Sequence, residues 1–188
     1  MRRTKRRPSP RDSRSIFSSA QHPWPRGPSM RTSEQVSTFQ SSRAAFDLAC
    51  RHARESLPRE TGGILTGWRA DGMIFLDAFL VVHDHRATGR GYWRRESPAN
   101  KTLADYLRNA DHPWIGYVGE WHSHPSPVPA SATDVASIRA VAKQVLQPIA
   151  LVVLMVDAHG NTITADAHVA VRQSRFKSTI YPVALDVT

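Results

Sequence analysis

Two histidines two positions apart, in Gly119-Glu120-Trp121-His122-Ser123-His124-Pro125, restrict the backbone more than any other feature of the chain. In an extended segment side chains alternate between faces, so residues i and i+2 project together and both imidazoles can converge on one ion. Asp134 follows ten positions after His124, inside Ser131-Ala132-Thr133-Asp134. A carboxylate arriving from another element completes a three-ligand set. Two His and one Asp leave the fourth tetrahedral position of zinc open to water, which separates a catalytic zinc from a structural one.

Alternation also puts Glu120 on the side of His122 and His124, either as a further ligand or as a strand-end acid in solvent. A His-x-His pair alone is matched by ordinary surface or hydrogen-bonded histidines. A second segment narrows the choice. Arg59-Glu60-Thr61-Gly62-Gly63-Ile64-Leu65-Thr66-Gly67 sets one acid at the mouth of a glycine-punctuated apolar strand, where paired glycines permit close backbone approach or a bulge.

Taken together, Glu60 with Gly-Gly-Ile-Leu-x-Gly, then His-x-His-Pro, then Ser-x-x-Asp resemble the JAMM metallopeptidases of the MPN (Mov34/PAD-1) family. The likeness runs from about Arg43 to Val171 and is strongest to the bacterial branch carrying Gly-Glu-Trp-His-x-His-Pro. That branch stands beside ubiquitin-activating-like and conjugating-like enzymes in CBASS-type antiphage and integrative-element operons. The resemblance implies zinc on His122, His124 and Asp134, proton transfer by Glu60, and cleavage of isopeptide or peptide bonds after a ubiquitin-like tail. Its partners would be a ubiquitin-like protein or its conjugate, with operon-encoded activating and conjugating enzymes. One departure stands out: six residues separate His124 from Ser131, one fewer than the family's usual spacing.

In chemical terms, zinc on neutral imidazoles and one carboxylate lowers the pKa of bound water to about 7 and polarises a carbonyl. A carboxylate alongside can take the water's proton and hand it to the leaving amine. Glu60 is the expected carrier, its strand lying beside that of His122; the bland alternative is a strand-end acid in solvent. Ser131 is expected either to donate to the oxyanion or to cap a helix, and both can hold. Trp121 alternates away from the ligand face toward a core. A modifier's tail would lie extended, paired beside an exposed sheet edge.

Charge is unevenly distributed. Of 25 basic and 16 acidic residues, residues 1–31 hold nine basic and one acidic, so that segment carries +8 of the formal +9. Rich in Arg, Ser and Pro, it buries too little apolar surface to offset chain entropy. It reads as a polyanion-touching arm, a transit-peptide mimic, or an inert segment upstream of a true start at Met30; the last is preferred. The remaining chain is nearly neutral, which makes nucleic acid an unlikely partner. No apolar run of about 18 residues predicts a membrane helix, and the expected location is cytoplasmic. Cys50, the single cysteine, excludes an internal disulfide and the Pro-Cys-x-x-Cys of a zinc nucleobase deaminase; it reads as a small buried hydrophobe. The rival readings are a metal-free MPN scaffold and a nucleic-acid-contacting protein acting through its tail.

Periodicity predicts a helix from Arg43 to Ser56, strands at Glu60–Trp68 and Met73–Val82 around an Ala70-Asp71-Gly72 turn, and a helix from Ser97 to Asn109. A strand at Trp114–Trp121, a helix from Ser131 or Thr133 to Leu146, and a hairpin of 148–156 with 162–171 follow. The second strand, almost wholly apolar, is expected to be buried. His83-Asp84-His85 is a second His-x-His, but it begins a loop with no Ser-x-x-Asp after it, so surface histidines are expected; His159 and His168 are expected in solvent too. Tyr92, Trp93, Arg94 and Arg95 either line a channel or cover a core edge. The fold class is α/β (α+β), a mixed central sheet flanked by helices, and the resemblance implies the cytidine-deaminase-like MPN arrangement. Expected bounds are a tail at 1–40, a catalytic domain at 41–175 and a C-terminal extension at 176–188.

Overall fold

The computed structural model describes residues 35–83, 87, 88, 91, 92, 96–157 and 159–188. In chain order the elements are β1 (Thr38–Ser41), α1 (Arg43–Glu55), β2 (Gly62–Ala70), β3 (Met73–Val81), α2 (Glu96–Leu107), β4 (Gly116–His124), α3 (Ala132–Gln144), β5 (Ile149–Val156), β6 (Ile163–Arg172), β7 (Ser178–Pro182) and β8 (Ala184–Val187). All strands join one mixed sheet in the order β7-β6-β5-β4-β2-β3-β1-β8. The expected α/β class with helices on both faces holds.

Local chemistry sets the boundaries. Ser42 caps α1 by accepting the Ala45 N–H, and the β2–β3 hairpin turns on Asp71 and Gly72 at φ 50° and 70°. Two successive positive φ values suit a two-residue hairpin loop, and Asp and Gly are among the residues that accept them most easily. In β4 a bulge at Val118 breaks the ladder with β2. Arg69 answers it, its guanidinium reaching the carbonyls of Val118 and Pro148 and the side chain of Gln147.

The two faces are filled differently. Ala49, Cys50 and Ala53 of α1 pack with Phe39, Leu65, Trp121, Val152 and Leu154 in the main core. On the opposite face Ile138 and Ala142 of α3 cover Leu151 and Val153, while Ala99 of α2 covers Ile64. β5 is apolar throughout because it is central and covered on both sides. β3 departs from expectation: Ile74, Leu76 and Phe79 are buried, but alternate positions are half-buried, since Phe75 stacks on Trp68 nearer the surface.

The sheet also runs past the expected bounds of 41 and 175. β1 pairs in parallel with β3 and β8, and β7 pairs with β6. Only Val183 separates β7 from β8, although they pair at opposite ends of the strand order. Consecutive residues lie about 3.8 Å apart, so the sheet must curl until its ends meet. The Val183 N–H bonds the Ala167 carbonyl at that junction. Among the described residues no helix is long and apolar enough to cross a membrane. The basic tail and the possible start at Met30 lie outside the described residues.

Candidate metal centre

β4 continues three residues beyond the expected end at Trp121, so both histidines sit inside the strand. Two neighbours hold it there. In the parallel ladder with β5, His122 lies opposite Val153 and His124 opposite Met155. On the other side Ser123 clamps the residue before β2: its N–H bonds the Thr61 carbonyl at 2.7 Å, and its hydroxyl accepts the Thr61 N–H at 3.0 Å. Alternation then turns Ser123 and Trp121 away from the imidazoles. Trp121 is 1% exposed and donates its indole N–H to the Leu80 carbonyl.

The imidazoles face α3. His122 Nε2 and His124 Nε2 are 3.1 Å apart, and Asp134 sends Oδ1 to within 3.5 Å of the first and Oδ2 to within 3.6 Å of the second. A tetrahedral zinc site with bonds of about 2.0–2.2 Å has ligand-to-ligand edges of roughly 3.3–3.6 Å. These atoms form the metal-ligand cluster found among the described residues. Two imidazole nitrogens and a carboxylate at separations close to those edges are a donor set that fits zinc.

Orientation is supplied by the groups behind the ligands. His124 Nδ1 bonds the Val128 carbonyl at 2.6 Å; with the proton on that nitrogen, Nε2 keeps its lone pair for a metal. Asp134 is the third residue of α3 and forms a capping box with Ser131, whose N–H donates to Oδ2 at 2.7 Å and whose Oγ accepts the Asp134 N–H at 3.2 Å. Burial alone would raise the Asp134 carboxyl, but hydrogen bonds from the His122 ring and from Ser131 hold it well below the usual carboxylate range. Ser131, and not Thr133, is the cap.

Glu60 lies beside this cluster. It is 9% exposed, and burial raises its carboxyl above the ordinary glutamate value, countered by His124 and His122 and reinforced by Asp134. A hydrogen bond from the Tyr92 backbone also lowers it. Gly62 explains the proximity: a Cβ there would meet the Trp121 carbonyl at 2.4 Å and His122 Cβ at 2.7 Å. Glu120 shares the face but is not among the converging ligand atoms; it accepts a hydrogen bond from the Tyr117 hydroxyl instead.

The family model described as prokaryotic homologs of the JAB domain matches residues 42–169. The chain belongs to the prokaryotic JAB family. A solved relative in structure is protein DSY2949 from Desulfitobacterium hafniense, at TM-score 0.59 and 15% identity, covering 80% of this chain and 92% of that one. At that identity the likeness concerns the fold. No curated protein matches.

In this JAB domain the remaining sequence candidates separate cleanly. His83 is exposed and outside any strand; His85, Trp93, Arg94 and Arg95 lie outside the described residues. Tyr92 donates to the Val82 carbonyl and lines, with Arg59, Glu60, His83 and Ala87, an open cleft of about 500 Å³. Cys50 is buried, and burial pushes its thiol pKa up, consistent with a packing role. His159 is exposed. His168 corrects the expectation of a solvent histidine: its side chain is 19% exposed, with Nε2 2.9 Å from Asp166 Oδ1, because β6 carries it onto the face that α3 covers. Sequence reading missed Ser123, Val128 and Asp166. Only Ser123 left a signal, as a polar residue alternating into a core where it must find a partner.

Proposed function

We propose that this JAB domain is a zinc-dependent isopeptidase or peptidase that removes a ubiquitin-like modifier from conjugates or processes its C-terminal tail. The observation that carries the reading is the convergence of His122, His124 and Asp134 with the buried Glu60 carboxylate beside them. Zinc held by this set would supply Lewis acidity, acidifying water and polarising a carbonyl. Glu60 takes a proton from the attacking water and returns it to the leaving amine, and burial makes its carboxylate a stronger base than an exposed one. Ser131 offers its hydroxyl proton to the developing oxyanion, a contribution of up to about 3 kcal/mol for a preorganised donor. That proton would have to turn from the Asp134 carboxylate toward the substrate.

A modifier tail could not add beside β4 itself, which has β2 and β5 on either side. An open cleft lined by Glu60 and Tyr92 offers such a tail a place beside the site, and glycines near the cut bond would let it approach closely. Incubating the enzyme with the ubiquitin-like protein encoded nearest to it, fused to a reporter, tests the reading. Cleavage after the modifier tail that stops in chelator and returns with zinc is expected. A zinc-loaded, folded sample that cuts no neighbouring modifier fusion or conjugate would overturn it.

A further inference from the structure

The six-residue loop from Pro125 to Ala130 carries the chain from the two histidines to the third ligand. It is fixed at two points. His124 holds the Val128 carbonyl, and Asp166 of β6 accepts the Ala130 N–H on Oδ2 at 2.8 Å. Asp166 shares a face with the site: it lies opposite Val153, which lies opposite His122. With strands about 4.8 Å apart, two steps across the sheet set it roughly 10 Å from the His122 backbone. Its other oxygen is 2.9 Å from His168 Nε2, a contact without hydrogen-bond alignment. Both side chains are about one-fifth exposed, 20% and 19%.

We infer that Asp166 is a positioning residue for the metal centre, acting through Ala130 on Ser131 and Asp134; the inference rests on the zinc reading above. The chain of contacts is short. Ala130 directly precedes Ser131, whose N–H holds Asp134 Oδ2 at 2.7 Å. Fixing the Ala130 N–H therefore fixes the start of α3, and with it the angle at which the carboxylate meets the imidazoles. A loop with three prolines has few backbone torsions left through which to compensate for a lost anchor. Asp166 touches none of the ligands and no reacting atom, so its effect should appear in metal affinity before it appears in chemistry.

The test compares full-length wild type, Asp166→Ala and Asp166→Asn by zinc competition against a chromophoric chelator, with hydrogen exchange read at the Ala130 amide. Asn keeps an acceptor oxygen while losing the charge. Supporting orientation groups of this kind are worth about 10-fold or more in metal affinity, so Asp166→Ala is expected to bind zinc about 10-fold more weakly and to exchange faster at Ala130. Asp166→Asn is expected to restore both. Zinc affinity in Asp166→Ala equal to wild type overturns the inference. So does an Asn variant as weak as Ala, which would assign the effect to charge. Should Ala fail to fold, an Asn variant close to wild type in both readouts still supports it. A wild type that takes no zinc ends the metal reading itself; exchange at Ala130 then decides the tether, and equal rates in wild type and Ala overturn it.

Discussion

Glu60 and Asp134 come to one site from positions 74 apart in the chain, and small side-chain choices decide whether they do. Gly62 is one. A methyl group at that position meets backbone atoms and His122 Cβ, none of which can rotate away. Gly62→Ala should therefore push β2 from β4 and cost about 1–3 kcal/mol, the scale of overpacking. Thermal unfolding and zinc affinity, both lowered, check this; a variant unchanged in both would show that the strands do not pack so closely. On the proposed reading Glu60 handles protons without binding metal. Glu60→Gln is expected to keep fold and zinc while losing about 10²-fold or more in rate, measured on the modifier fusion. Normal turnover would shift the role to Glu120.

At the scale of elements, the sequence was legible wherever periodicity was long. The three helices and the five longest strands all fall near their expected bounds, because each buries a repeating stripe. β1, β7 and β8 escaped notice: four or five residues with mixed burial carry too little pattern, and their places are fixed by distant partners. The same reason hides Asp166, whose role arises from a loop 36 residues away. The convergence of His122, His124 and Asp134 was legible because β-strand alternation and the Ser-x-x-Asp cap are local rules. Between elements, α2 is anchored to β3 where the Tyr106 hydroxyl donates to Asp77 Oδ2 at 2.5 Å. Burial, and then that bond to Asp77, push the phenol from its ordinary 10 up to about 12. A phenol held neutral in the folded state contributes stability that is full below about 10 and is lost as pH rises through about 12. Tyr106→Phe should be less stable at neutral pH and decline less steeply over that alkaline window in denaturant titrations. Alkaline limbs of equal slope would contradict the assignment.

Across the whole molecule, the sheet divides two tasks. One face wraps α1 in an apolar core, and the other, covered by α2 and α3, carries the imidazoles and Asp166, with Asp134 meeting them from α3. A site assembled from β4, the residues before β2, the start of α3 and, through the Ala130 tether, β6 exists only when the domain is folded. Metal binding should thus stabilise the fold by mass action. Elemental analysis of the purified full-length protein decides whether His122, His124 and Asp134 hold a zinc ion. One zinc per chain is expected, removed by replacing both histidines with alanine. Less than about a tenth of an equivalent, persisting after zinc is supplied to folded protein, would contradict it, since a three-ligand set of this geometry should fill readily.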